Sequence, residues 1–321
     1  MAQNMVAQIA VKSLKYNELG IYSYGKTQDT QDMLRTRIDG IVASVSFGDI
    51  VIFQFPMWNG IDFEEALVRR LNVYPGLQKI FFIHDVVPMM FQTQDELLSR
   101  YIALYNQADV IILPSQRMAD YLRERGLAVE KIVIQRMWDT PFSIDTSVTP
   151  TFNKVIQFAG DITTPKFSFA QEWPYETVRL AVTAEKGDWA AGKNIDFLGW
   201  FNNDNFLAAA LRRTGGFGLL WSEDPVWREY MIRNTCYKFS TYLGAGLPVI
   251  ASNSISEAET IRRKGLGLTV NSLKEAVEAI EGMTEEQYDR MVRNTAEFGK
   301  LIRGGYFTKK TLIDAVMLLL D

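Results

Sequence analysis

The strongest constraint on this chain's fold is an alternation that persists along most of its length. Short runs rich in Ile, Val and Phe, each ending in Gly, Pro, Asp or Ser, alternate with segments of helical periodicity. The first series of runs is "LGIYSY", "GDIVIFQFP", "KIFFIHDVVP" and "ADVIILPS". Helical patterns accompany them: "TQDMLRTRIDGIVASV", "DFEEALVRRLNVY", "DELLSRYIALYNQ" and "SQRMADYLRERG". Buried strands joined by helices predict parallel, doubly wound sheets, because parallel neighbours need a long crossover. A second series, "KVIQFAG", "IDFLGW", "GFGLLW" and "LPVIAS", begins near Pro150. Between the series, "WDTPFSIDTSVTPTF" is polar and broken by prolines, which predicts a linker.

The expected protein is therefore α/β, with two Rossmann-like parallel-sheet domains facing a cleft. The predicted boundaries are 1–148, 149–304, and a terminal helix over 305–321 that packs back toward the first domain. Ligands of such sheets sit at the carboxyl ends of the strands. The opening "MAQNMVAQIAVKSL" reads as an amphipathic helix with Met5, Ile9 and Leu14 on its apolar side. Domains of this class usually open with a strand, so the first strand and its loop are expected to be missing.

Composition narrows the function. A length of 321 residues suits two domains of roughly 150 each. A net charge of −4 argues against nucleic acid as the main partner, since phosphate backbones demand clustered Lys and Arg. Cys236 is the only cysteine, which rules out an internal disulfide and fits a reducing cytoplasm. The longest apolar stretches, "KIFFIHDVVPMMF" and "DAVMLLL", fall short of a membrane span, and no secretory signal opens the chain. One His, one Cys and no Asp-x-Asp predict no metal site; "NNDNF" carries a single carboxylate.

Gly20 to Thr27, "GIYSYGKT", matches the phosphate-loop pattern G-x-x-x-x-G-K-[ST]. A working loop needs a strand before it and a helix starting at the lysine. Here polar "KSLKYNE" precedes it, and Ile21 to Tyr24 prefer a pleated strand. "LGIYSY" is therefore predicted to be a strand and "GKT" its exit turn. No G-x-G-x-x-G opens either domain, which weakens a dinucleotide-dependent oxidoreductase.

The most informative stretch is "CYKFSTYLGAGLPVIAS", Cys236 to Ser252. It predicts a helix with Lys238 in its first turn, ended by Gly244 and Gly246, then a buried strand. A cation is a poor partner for a helix N-terminus, whose free amides attract anions. A diphosphate at that point accounts for both. The plainer alternative is a surface lysine ahead of a buried strand.

This segment resembles the donor-binding motif of GT-B glycosyltransferases. The resemblance extends through "IFQFPMWN", "FFIHDVVPMMF", "YNQADVIILPSQRM", "VIQRMWD", "KFSF", "GGFGLLW", "GLGLTV" and "IRGGYFTKKTL". Together these resemble the bacterial glucosyltransferase 3 family, which adds glucose from UDP-glucose to the O-linked N-acetylglucosamine of serine-rich repeat adhesins. The resemblance implies a GT-B fold, a UDP-sugar co-substrate with no further cofactor or metal, a glycosylated serine-rich protein as acceptor, and a homo-oligomer. It places Lys238, Tyr237 and Thr235 on the diphosphate, with Gly160 and Asp161 in the same donor site. Lys166 stands where the family usually has Arg, and lysine cannot reproduce a bidentate fork. Trp200 falls where an aromatic would stack on uracil; the alternative is a core aromatic.

His84 and Asp85 end a first-domain strand and are the two candidates for the base that takes the acceptor proton. Their alternative role is to cap a strand end and hold a turn. Trp138 and Asp139 are expected on the acceptor side. Thr241 occupies the place of the second glutamate of the retaining Glu-x7-Glu pair, and Arg233 stands eight residues before it. Loss of that pair favours an inverting displacement. Two alternatives stand beside the transferase: a nucleotide-sugar-binding partner without catalysis, and a transferase of galactose or galactofuranose for surface polysaccharide.

Overall fold

A computed structural model describes residues 2–24, 29–91, 95–187 and 190–320, without the side chains at 95, 96, 165 and 166. The chain divides into two compact units, Met1–Gln135 with Thr308–Asp321, and Arg136–Phe307.

The first unit opens with helix α1 (Ala2–Ile9), which buries Met5, Val6 and Ile9 and runs on as a π-helical turn, Ala10–Leu14. Helix α2 (Gln31–Ile41) follows, capped by the Thr30 hydroxyl, which accepts the Met33 N–H at 3.3 Å. Then come β1 (Ile50–Phe55), α3 (Ile61–Leu71), β2 (Gln78–Ile83), α4 (Val87–Met90), α5 (Asp95–Tyr105), β3 (Val110–Leu113), α6 (Gln116–Arg123) and β4 (Ile132–Ile134). The four strands lie in the order β1-β2-β3-β4, all parallel, with Phe55 opposite Ile83 and Ile80 opposite Val110. Buried Phe53, Phe55 and Phe81 pack ring against ring, the last two 4.8 Å apart.

The predicted strand "LGIYSY" does not join this sheet: Leu19–Tyr24 form no ladder. Leu19, Ile21 and Tyr22 line a cavity of about 750 Å³ together with Ile50, Ile52 and Gln54 of the edge strand β1. Backbone groups of the segment are served by a side chain instead of a neighbouring strand. Asn59 donates from Nδ2 to the Tyr22 carbonyl and accepts the Tyr24 N–H at Oδ1, both at 3.3 Å. Strand propensity expresses a fit to a pleated, half-buried surface and needs a ladder to be realised. The predicted exit turn over Gly25 to Thr27 lies outside the described residues. Helix α2 begins at Gln31, beyond that turn, with its first-turn amide already held by Thr30.

The second unit contains β5 (Val155–Phe158), a 3₁₀ turn (Pro165–Ala170), β6 (Arg179–Val182), β7 (Ile195–Phe197), α7 (Asp204–Thr214), β8 (Phe217–Leu220), α8 (Pro225–Arg233), α9 (Tyr237–Ala245) and β9 (Val249–Ser252). It continues through α10 (Ala258–Lys264), β10 (Gly267–Val270), α11 (Leu273–Glu281) and α12 (Glu285–Arg303), and the chain ends on α13 (Tyr306–Leu320). Its six parallel strands run β10-β9-β8-β5-β6-β7. Helix α9 lies close under this sheet. A β-carbon on Gly218 of β8 would stand 2.2 Å from the Tyr242 ring, and the Tyr242 hydroxyl accepts the Ala159 N–H at 2.7 Å.

The predicted linker is part of this unit, and the division falls at Gln135 and Arg136, ahead of the expected 148. Trp138, Thr140 and Phe142 are buried. The Trp138 indole donates to the Thr235 carbonyl at 2.9 Å, and the Thr140 hydroxyl donates to that of Ser240 at 3.3 Å. Prolines and polar residues gave the stretch a linker's composition, while its aromatic anchors bury it. The last fourteen residues, Thr308–Asp321, belong to the first unit, where the Thr308 hydroxyl lies 3.8 Å from the Met5 sulfur.

Candidate active site

In the second unit the carboxyl end of β5 and the start of α9 come together. Chain exits β5 at Phe158 and turns through Ala159, Gly160 and Asp161. The Lys238 side chain reaches across this exit, with its Cε 2.8 Å from where a β-carbon on Gly160 would stand. Its ammonium lies 4.9 Å from the Phe167 ring centroid and 5.4 Å from that of Phe158, within cation–π range. Phe158, Phe167, Trp227, Cys236 and Lys238 line a small cavity of about 60 Å³.

Helix α9, like α3 and α10, has no side chain bonded to its first-turn amides, whereas six other helices do. Thr30, Ser115, Asn203, Asp224, Ser272 and Thr284 each place a side-chain oxygen on a first-turn amide of their helix. The N-cap of α9, Cys236, does not. At the other end Arg212 donates to the Ala245 carbonyl and Arg303 to that of Gly244, both at 2.6 Å. Two guanidinium groups thus complement the negative end of the helix dipole, and the positive end is left for an anion. Burial lowers the pKa of both arginines, each remaining a cation.

Glu257 shapes the turn into α9. Its carboxylate, buried, accepts the Cys236 N–H and the Ser256 hydroxyl, each at 2.7 Å, and Ser256 also donates to the Asn234 carbonyl at 2.8 Å. Burial pushes the Glu257 carboxyl up to about 7 against these hydrogen bonds.

The predicted donor residues separate accordingly. Lys238 and Gly160 meet, and Tyr237 is half-buried beside them, its ring 6.5 Å from that of Trp138. Thr235 is buried beneath Trp138, which removes it from an open diphosphate site. Asp161 is exposed, and its Oδ1 is committed to Thr163, accepting the N–H at 2.8 Å and the hydroxyl at 2.6 Å. Those bonds lower its pKa, so it stays an anion that holds the turn. Trp200, after edge strand β7, is 62% exposed, which excludes the core alternative. Lys166 lies in the 3₁₀ turn, and its side chain is outside the described residues. Trp138 and Asp139 are both buried within the second unit, so they do not form the expected acceptor surface.

In the first unit, His84 and Asp85 follow β2 directly. The His84 N–H donates to the Phe55 carbonyl at 2.8 Å, which extends the β1–β2 ladder by one bond. The His84 imidazole is buried, stacked on Phe82 at 4.6 Å, and desolvation pulls its pKa down to about 3. It is therefore neutral near pH 7. Asp85 is half-buried at the same strand end.

Glu257, Arg212 and Arg303 were not singled out in the sequence. Each acts on α9 from a distant element, and only "SISEAET", a carboxylate at a helix start, offered a local cue. Among the described residues no three His, Cys, Asp or Glu side chains gather as a metal site, and no helix is long and apolar enough to cross a membrane.

Two parallel-sheet units of this construction recur in solved structures. Sucrose-phosphate synthase of Thermosynechococcus elongatus superposes over 94% of this chain and 82% of its own with a TM-score of 0.66 at 14% identity. Anabaena HepE in complex with UDP and glucose does so over 89% and 81%, with a TM-score of 0.61 at 10% identity. The fold is the GT-B fold of glycosyltransferases. The chain belongs to the glucosyltransferase 3-like family: residues 1–137 match that family's N-terminal domain and 156–315 its C-terminal domain. It is 41% identical to glucosyltransferase 3 of Streptococcus gordonii across 99% of this chain and 93% of that protein.

Proposed function

We propose that this enzyme moves glucose from UDP-glucose to an N-acetylglucosamine already attached to a serine-rich protein, without a metal and with inversion. The observation that carries the donor half is Lys238 at the uncapped start of α9, poised over Gly160. In this reading the diphosphate sits on the first amides of α9 with the Lys238 ammonium beside it. Charge-assisted contacts of this kind contribute about 1.5–3 kcal/mol each, and they stabilise the departing UDP as the glycosidic bond breaks. Exposed Trp200 is available to stack on uracil. Glucose as the sugar is supported by the family, and UDP with glucose by the ligands of HepE.

The acceptor half rests on Asp85. An acceptor hydroxyl attacks the anomeric carbon, its proton passes to the Asp85 carboxylate, and UDP leaves from the opposite face. Buried His84 supports the strand end from which Asp85 projects. The open face of α13 that carries Ile313, Met317 and Leu320 supports a homo-oligomer joined through that helix.

Calorimetric titration with UDP, then UDP-glucose, UDP-galactose and UDP-N-acetylglucosamine, tests the donor. UDP-dependent transfer onto an N-acetylglucosaminyl-serine peptide tests the acceptor. Absence of UDP binding would overturn the donor assignment, and transfer of another sugar would replace glucose.

A further inference from the structure

We infer that Trp58 is the platform on which the acceptor sugar stacks, which rests on the reading that this enzyme glycosylates a sugar-bearing acceptor. Trp58 lies in the turn between β1 and α3, with a φ of 62°. Bulky residues rarely adopt that left-handed conformation, which costs of order 1–3 kcal/mol and recurs at ligand clamps. Trp58 is 50% exposed, while Met57 and Asn59 on either side are 8% and 2% exposed.

Both neighbours are pinned. The Met57 N–H donates to the Glu64 carboxylate at 2.6 Å, and Asn59 bonds the Tyr22 and Tyr24 backbone on both sides of its amide. A buried tryptophan dominates core energetics. Here the turn buries both flanking residues and holds a strained backbone that turns the largest side chain outward. The arrangement is built to present a ring.

Its place in the sheet supplies the ligand class. Strands β1 and β2 are parallel neighbours with Phe55 opposite Ile83. Trp58 and Asp85 therefore leave the same carboxyl edge on adjacent strands, where ligands of open α/β sheets bind. A hexopyranoside offers a face of C–H bonds to an indole while its hydroxyls remain directed outward. The ring orients an uncharged sugar and leaves the attacking hydroxyl free for Asp85. The ligand is the N-acetylhexosamine of the acceptor.

The test uses full-length Trp58→Asn and Trp58→Phe. Asn tolerates the left-handed conformation, so it removes the ring and relieves the strain together. We expect Trp58→Asn to raise the acceptor KM roughly tenfold or more, to leave the UDP dissociation constant unchanged, and to raise Tm. Trp58→Phe keeps the acceptor KM within about threefold, since a π face remains. Saturation-transfer NMR with the N-acetylglucosaminyl-serine peptide reports binding without turnover. Its sugar-ring signals should fall in Trp58→Asn. An unchanged acceptor KM and unchanged NMR signals in Trp58→Asn overturn the platform, as does an equal loss of UDP binding. If the wild type transfers nothing yet shows Trp58-dependent NMR contact, the acceptor reaction fails and the platform stands.

Discussion

Lys238 and Gly160 fit against one another: the lysine Cε occupies the space, 2.8 Å away, that a β-carbon on Gly160 would crowd. Gly160 is not in the left-handed region, so its backbone accommodates alanine. Gly160→Ala therefore acts through the lysine, whose flexible end must move. It should weaken UDP binding roughly 3- to 10-fold with little change in Tm, and Lys238→Ala roughly 10- to 100-fold. Gly160→Ala added to Lys238→Ala should cost nothing further, because the two share one interaction. Additive losses by calorimetry would show that Gly160 acts independently.

Glu257 makes the fold sensitive to pH. Its ordinary carboxyl value is 4.5, and burial raises it to about 7 in the folded chain. The folded state then binds the proton more tightly than the unfolded state, so the stabilisation is fully present below pH 4.5 and is lost as pH rises through 7. The loss amounts to roughly 3 kcal/mol. Glu257→Gln keeps a neutral group able to accept the Cys236 N–H, and should flatten that part of the urea-unfolding profile between about pH 5 and 8. Above pH 7 the ionised wild-type carboxylate also opposes an anion at α9, so UDP affinity should fall there and not in Glu257→Gln. A parallel decline in both proteins would remove Glu257 from both effects.

The balance of α9 rests on its distal end. Arg212 is buried and bonded to the Ala245 carbonyl and to that of Val148; Arg303 holds Gly244. Arg212→Ala leaves the buried Ala245 carbonyl without its side-chain donor and should destabilise by roughly 2–4 kcal/mol. Chemical denaturation measures it directly, and a loss below 1 kcal/mol would mean that water replaces the guanidinium.

The sequence carried the sheets well because buried parallel strands are continuous apolar runs, as in "KIFFI" and "ADVIIL", and each is realised as β2 or β3. Lys238 was legible because a cation in a helix's first turn conflicts with the helix dipole, and a bound anion resolves the conflict. Strands β6 and β10 escaped: Arg179 opens the one and Gly267 the other, so neither shows the continuous apolar run that marks β3 at the same length. "LGIYSY" misled for the opposite reason, since its residues suit a strand and only tertiary pairing decides whether one forms. Trp138 and Asp139 were misplaced because proline and polar composition describes local conformation, whereas burial depends on Thr235 and Phe307, far along the chain. Trp58 was invisible as a site, because exposure and a positive φ are properties of the folded turn.

Asp85 and His84 separate by titration as well as by substitution. Asp85→Asn should lower kcat by about 10²- to 10⁴-fold, the usual contribution of a general base, while leaving UDP affinity unchanged. His84 has a pKa near 3, so it stays neutral across the assay range and contributes no inflection near pH 6.5. Burial raises the Glu257 carboxyl to about 7, so the profile is best recorded in Glu257→Gln, which removes that titration. His84→Gln, which keeps a buried polar side chain, should retain most activity at a lower Tm. A pH–rate inflection near 6.5 that disappears in His84→Gln would transfer the proton-accepting role from Asp85 to His84.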